Sequence, residues 1–271
     1  MTATATRSLR ETFVTLRARR QIGVLPFVPA GYPDLATTQA ILPALECAGA
    51  SAIEIGAPFS DPIADGPTIQ EAFTTALSKK LKLRDIFGAI AAVRASVTLP
   101  LIAMISYSIV FRHGLDRFLA DAKSAGFDGL ILPDLPPPEA ESVCKAIQSA
   151  GLETVLLVAP TTTPDRRREI ARLCSGFVYY MSISGITGER DRLPSDLETN
   201  VRQLRQLTQV PVCVGFGISK AEHVAQLAPF ADGAIIGSAL VRRIKEHLSE
   251  SPTAIANAVE SYCRELLTKV R

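Results

Sequence analysis

Glu54 is an acidic residue set in an apolar run, Ala52-Ile53-Glu54-Ile55-Gly56. A loop rich in proline, glycine and aspartate follows it, running through Ala57-Pro58-Phe59-Ser60-Asp61-Pro62-Ile63-Ala64-Asp65-Gly66-Pro67-Thr68. In a strand, successive side chains point to opposite faces, so Glu54 points away from Ile53 and Ile55. If the isoleucines face a covering layer of helices, Glu54 faces an interior. Poor hydration there raises a carboxyl pKa and suits it to moving a proton. The residues alone allow a second reading, a structural glutamate hydrogen-bonded to a neighbouring strand end. Asp65, taken alone, reads as an ordinary aspartate of a solvated turn.

Two glycine turns point to anion binding. Gly215-Phe216-Gly217-Ile218-Ser219 follows one apolar strand, and Gly237-Ser238 follows the next and opens a helix at Ala239. Glycine lets the backbone approach an anion closely, and the unpaired N–H groups of a helix start can hold it. The plain alternative is a pair of tight turns with a serine cap. A third segment, Ser184-Gly185-Ile186-Thr187-Gly188, precedes the charged stretch Glu189-Arg190-Asp191-Arg192. Its length and flanking glycines suit a lid over a substrate, or else a solvated loop with no role.

These residues need elements to hold them. Short apolar runs at 22–28, 52–55, 99–104, 129–132, 154–158, 177–180, 212–214 and 233–236 read as strands. They are continuous rather than alternating, the pattern of strands covered on both faces of a parallel sheet. Helical patterns lie between them at 35–48, 68–77, 83–95, 115–125, 138–150, 165–174, 197–207 and 219–227, the last starting at Ser219 as a capping serine. Helices at 238–248 and 253–269 close the chain, and 8–19 reads as an extra helix ahead of the first strand. Eight strand–helix units with no break in composition predict one α/β domain over residues 1–271, a (β/α)8 TIM barrel with an additional N-terminal helix. The rival, a doubly wound open sheet, would carry a G-x-G-x-x-G turn after its first strand; Pro29-Ala30-Gly31-Tyr32-Pro33 stands there instead. No repeat beyond the strand–helix unit is visible. In a barrel the reactive groups belong at the carboxyl ends of the strands, where all three segments fall, and the loops after strands seven and eight are the usual phosphate site.

Composition narrows the partners. The 271 residues carry 29 basic and 27 acidic side chains, a net charge of +2, with 47% hydrophobic residues. That balance gives no electrostatic reason for a nucleic acid or membrane partner. No apolar run reaches the ~18 residues of a spanning helix. Residues 1–10 have no apolar signal core; their Thr, Ala and Arg content leaves a processed targeting remnant as the minor alternative. Cys47, Cys144, Cys174, Cys213 and Cys263 form no C-x-x-C pair and read as small buried hydrophobes in a reducing compartment. His113, His223 and His247 are scattered, so no metal site is expected.

Phe27-Val28-Pro29-Ala30-Gly31-Tyr32-Pro33, the whole stretch from Glu54 to Gln70, Ser184-Gly185-Ile186-Thr187-Gly188 and Gly215-Phe216-Gly217-Ile218-Ser219 resemble the tryptophan synthase α-chain family. The resemblance runs in order along essentially the whole chain. It implies a cytoplasmic carbon–carbon lyase that splits indole-3-glycerol phosphate into indole and glyceraldehyde 3-phosphate. It also implies roles. Glu54 would be the principal acid/base, and Asp65 would balance positive charge on the indole nitrogen. Phe27, Ile105, Ile131, Leu157 and Phe216 would enclose the indole, with Tyr179 near the carboxylate. Backbone N–H groups of Gly188, Gly217, Gly237 and Ser238 would hold phosphate, the Ser238 hydroxyl helping, and Thr187 would set the lid against Asp65. No cofactor is implied. Pyridoxal phosphate belongs to a β-subunit partner, met in an α2β2 heterotetramer through a surface that includes Pro58, Asp61 and Pro62.

Two positions depart from the resemblance. The family often has arginine just before the lid serine, where this chain has Ile183, and asparagine shortly after the tyrosine of the third strand end, where Tyr107-Ser108-Ile109-Val110 has none. Both bear on coupling to the β subunit more than on the chemistry. The rival expectations are a stand-alone indole-glycerol-phosphate lyase, a non-catalytic activator of the β subunit, and another phosphate-binding barrel.

Overall fold

A computed structural model describes residues 7–61, 65–182, 193–215 and 217–270. Its centre is a closed parallel barrel whose eight strands pair in chain order, the last with the first. The strands are β1 (Gly23–Pro29), β2 (Ile53–Gly56), β3 (Leu101–Met104), β4 (Gly129–Ile131), β5 (Glu153–Val158), β6 (Phe177–Met181), β7 (Val212–Gly215) and β8 (Gly233–Ile236). Each expected strand is present, its ends moved by two residues at most. The helices are α1 (Leu9–Ala18), α2 (Leu35–Ala48), α3 (Pro67–Ser78), α4 (Leu83–Val93), α5 (Tyr107–His113), α6 (Leu115–Ala125), α7 (Pro137–Ser149), α8 (Pro164–Leu173), α9 (Leu197–Arg205), α10 (Ala221–Leu227), α11 (Ser238–Glu246) and α12 (Pro252–Leu266). Because all strands are parallel, their carboxyl ends open at one mouth.

Local chemistry explains the helix ends. Asp34 caps α2, its Oδ1 accepting from the Thr37 N–H at 2.7 Å, and Gly49 ends it at φ 100°, where a side chain would be strained. Pro67 and Pro164 occupy first-turn positions that lose no hydrogen bond. One expected cap is corrected. Lys220, not Ser219, precedes α10; the Ser219 N–H instead donates to His223 Nδ1 at 3.3 Å, and its carbonyl accepts from the Tyr262 hydroxyl at 2.8 Å. The sequence also gave no sign of α5. It is only seven residues long, and Asp134 holds its start, accepting from the Tyr107 N–H at 2.7 Å and the Ser106 hydroxyl at 2.6 Å.

The barrel interior and the helix layer form separate cores. Leu25, Ala52, Ile102, Ile131, Val155, Phe177, Tyr179, Cys213 and Ile235 pack inside the barrel. Ile53 and Ile55 pack outward with the helices. Helix α1 plugs the floor: Leu9 and Phe13 enter the interior cluster, with Phe13 6.2 Å from the Phe177 ring centroid. A capping box starts α1, Ser8 Oγ accepting from the Glu11 N–H and Glu11 accepting from the Ser8 N–H. Four cysteines are buried as expected; Cys47 is exposed, a correction, since it lies on the solvent side of α2.

Asp232 fastens the plug. Its Oδ1 takes Arg17 Nε at 2.9 Å, with Arg205 Nη2 at 3.5 Å, and its Oδ2 accepts the Val212 N–H at 2.9 Å. Asp128, four strands earlier, repeats the device: its Oδ2 accepts the Leu101 N–H at 2.9 Å and Arg94 Nη2 at 2.8 Å. Asp232→Ala strands the buried Val212 N–H, while the part-exposed Arg17 and Arg205 keep their bonds to the Gln209 and Phe230 carbonyls. It should cost about 2 kcal/mol in urea unfolding, most of it from that N–H. A loss under about 1 kcal/mol would show that the plug is held by apolar packing alone.

Candidate active site

Strand β2 carries the central group. Alternation sends Ala52, Glu54 and Gly56 inward while Ile53 and Ile55 meet the helices, as the sequence pattern requires. Glu54 pairs in register with Phe27 on one side and Ile102 on the other. Its side chain is fully buried, and neither carboxyl oxygen has a hydrogen-bond partner. The structural reading of Glu54, a carboxylate tied to a neighbouring strand end, therefore fails. A buried carboxylate without donors is held protonated, and burial pushes its pKa well above the ordinary range.

Tyr179 connects this carboxyl to the loop above. Its buried phenol has a pKa raised by burial, then by the charges of Glu54, Asp65 and Cys213. The two carboxyl groups therefore lie within electrostatic reach of one phenol. Asp65 is half-buried just ahead of α3, its carbonyl accepting from Gln70 Nε2 at 2.7 Å, and burial pushes its pKa up to about 6. That corrects the picture of Asp65 as an ordinary solvated anion. It is still roughly nine-tenths ionised at pH 7, given a pKa near 6.

Two glycines make room for the aromatic walls. A Cβ on Gly56 would stand 2.4 Å from Phe27 Cζ, and one on Gly215 would stand 2.3 Å from the Tyr179 hydroxyl oxygen. Phe27 lies across β2 toward Phe73, 6.4 Å between ring centroids. Ile131 and Leu157 belong to the interior cluster with Tyr179. Ile105 packs with the outer core, whereas Met104, in register with Gly56, borders both the interior cluster and the outer core. Sequence reasoning missed Met104, although it shares the parity of Ile102 and alternation from Glu54 would have found it. Cys213 is a second missed interior group, its thiol raised by burial and by Asp232 and Glu54.

At the mouth, Gly217 has φ 84°, which favours glycine, and Gly237 leads into α11 with Ser238 as its first residue. Among the described residues, a Cβ on Gly237 would have Ile69 alone within 4 Å, at 3.9 Å. The first-turn N–H groups of α11 have no intrahelical acceptor. Pro58 is buried and Asp61 exposed, its carboxylate taking the Ser60 hydroxyl at 2.8 Å. Pro62, Ile183, Thr187, Gly188 and Phe216 lie outside the described residues. Among the described residues no cluster of side chains could hold a metal ion, and no helix is long and apolar enough to cross a membrane.

Comparison with known proteins agrees with this geometry. The family model described as tryptophan synthase alpha chain matches residues 13–271. A tryptophan synthase alpha chain from Rhodopirellula baltica is 43% identical over 260 residues, covering 95% of this chain and 94% of that one. One from Synechocystis is 44% identical over 259 residues, covering 95% and 97%. Tryptophan synthase from M. tuberculosis, solved in an aminoacrylate-bound form, superposes with a TM-score of 0.85 at 33% identity, covering 98% of this chain and 100% of that one. A mutant alpha-subunit from Pyrococcus furiosus gives 0.84 at 37% identity, covering 91% and 98%. An interior glutamate at the end of a barrel strand, an aspartate above it and a match of this extent have one explanation: the chain belongs to the tryptophan synthase alpha chain family.

Proposed function

We propose that this chain splits indole-3-glycerol phosphate into indole and glyceraldehyde 3-phosphate, with Glu54 and Asp65 as its acid/base pair. Membership of the family makes it a lyase of tryptophan biosynthesis with no cofactor of its own. The observation that carries the residue assignment is the Glu54 carboxyl, buried without a partner beside a phenol that also senses Asp65.

Protonated Glu54 gives its proton to indole C3, and the ring nitrogen takes up positive charge, which the Asp65 carboxylate balances. The bond between C3 and the hydroxyl-bearing glycerol carbon then breaks. Its electron pair restores the aromatic ring, while the hydroxyl proton passes to Glu54 and leaves an aldehyde. Glu54 ends as it began, protonated. The two carboxyl groups must differ in charge for this to work, and their environments push them apart in that sense. Phe27, Met104, Ile131, Leu157 and Phe216 enclose the indole, with Tyr179 beside them. The N–H groups of Gly188, Gly217, Gly237 and Ser238 hold the phosphate at the mouth, with the Ser238 hydroxyl, and Thr187 sets the lid.

The family works with a β subunit. We place that contact, in an α2β2 assembly, on the loop after β2, where Asp61 is exposed between Pro58 and Pro62. A cytoplasmic setting fits a chain whose five cysteines include no C-x-x-C pair. The test is release of indole from indole-3-glycerol phosphate by the purified chain, with and without a purified β subunit. Indole is expected from the chain alone, at a rate that rises on mixing. An unchanged rate would identify a stand-alone lyase, and no indole under either condition would refute the assignment.

A further inference from the structure

The last helix ties together the turns after β7 and β8, the two proposed to hold phosphate. Ser219 follows Gly217 by two residues and stands ahead of α10, so its N–H and carbonyl belong to no helix or strand. Side chains take both groups. The N–H donates to His223 Nδ1 at 3.3 Å, and the carbonyl accepts from the Tyr262 hydroxyl at 2.8 Å. His223 and Tyr262 are buried, and Ile218, next to Ser219, is buried in the outer core. The same tyrosine also meets the helix of the second turn. Arg243 of α11 lies over its ring, Cζ 5.1 Å from the centroid, and α11 begins at Ser238.

We propose that Tyr262 is a positioning residue for the substrate's phosphate, acting through Ser219 on the Gly217 turn. An N–H group grips an anion well only when its direction is fixed beforehand. Gly217, at φ 84°, has no side chain to restrict it, so its neighbours must. Upstream, Gly215 is held in register with Met181 in the barrel. Downstream, the two bonds on Ser219 and the buried Ile218 do that work. Ser219 is only half-buried, so without the tyrosine hydroxyl its carbonyl can take a bond from water. The loss then falls on the placement of the turn rather than on the fold. Tyr262 itself does not touch the substrate, and its role rests on the lyase reading.

Tyr262→Phe keeps the ring, and with it the Arg243 contact, and removes the hydroxyl alone. In the full chain it should raise KM for indole-3-glycerol phosphate about fivefold, within the range of a single hydrogen bond. The kcat should be nearly kept, because a phosphate contact is the same in ground and transition states. Dephosphorylated indole-3-glycerol separates positioning from packing: its kcat/KM should fall less than about twofold, since it has no phosphate to misplace. The inhibition constant of inorganic phosphate should weaken along with KM. An equal loss on both substrates overturns the proposal and makes Tyr262 a packing residue. So does an unchanged KM or phosphate inhibition constant, or a loss confined to kcat. A wild type that releases no indole sinks the lyase reading and this role with it. An active wild type beside an unaltered variant sinks the role of Tyr262 alone.

Discussion

Glu54→Gln should lower kcat for indole release by at least about two orders of magnitude, the low end of what a positioned acid/base contributes. The substitution keeps the shape of the side chain and removes only the proton that indole C3 needs. It should also leave KM nearly unchanged, since the residue acts in proton transfer and the protonated carboxyl and the amide are both neutral in the ground state. Stability supplies an independent readout. Burial raises the folded-state pKa of Glu54 above its unfolded value. A group of that kind gives full stability below the unfolded pKa and loses it as pH rises toward the folded one. The wild type should therefore lose stability with rising pH above the ordinary carboxylate range, and the glutamine variant should lose less. A variant that is inactive and also less stable than wild type at every pH would point to a packing role. One that turns over at the wild-type rate would remove Glu54 from the chemistry.

That combination, an acid kept where it destabilises the fold, was partly legible in the sequence. Alternation along Ile53-Glu54-Ile55 placed the carboxyl inward, and eight apolar runs in a parallel-sheet pattern placed the strands. Both signals are local and periodic. What escaped depends on contacts between distant segments. Helix α5 is fixed by Asp134 across a neighbouring loop, so no pattern within its seven residues announces it. Helix α1 read as an extra helix, but its work as a floor appears only when Phe13 meets Phe177 and Arg17 meets Asp232. The family resemblance names Ile105 for the indole wall, whereas strand parity puts Met104 on the interior face. Cys47 lies in a helical pattern like its buried counterparts, and only the packed helix shows which of its faces is wet.

Asp65→Asn should lower kcat about 100-fold, the scale on which a single fixed group that stabilises transition-state charge is worth. It should also change the pH profile in a way that packing damage would not. In the wild type the Asp65 carboxyl must be ionised to balance the indole nitrogen, and its pKa stands near 6. The kcat of the wild type should therefore fall as pH drops through about 6, well above the ordinary aspartate range. In the asparagine variant that limb should vanish, leaving a low and flat profile across the same interval. The sign for stability is opposite. Because burial raises the folded pKa, ionising Asp65 weakens the fold, so the wild type loses stability as pH rises from the unfolded value through about 6, and asparagine removes that loss. One residue thus makes the enzyme faster and the fold weaker over the same pH interval, a coupling expected of a charge held in place for a reaction. If the acid limb survives in Asp65→Asn, the titrating group is another, and the anion facing the indole nitrogen must be sought elsewhere at the barrel mouth.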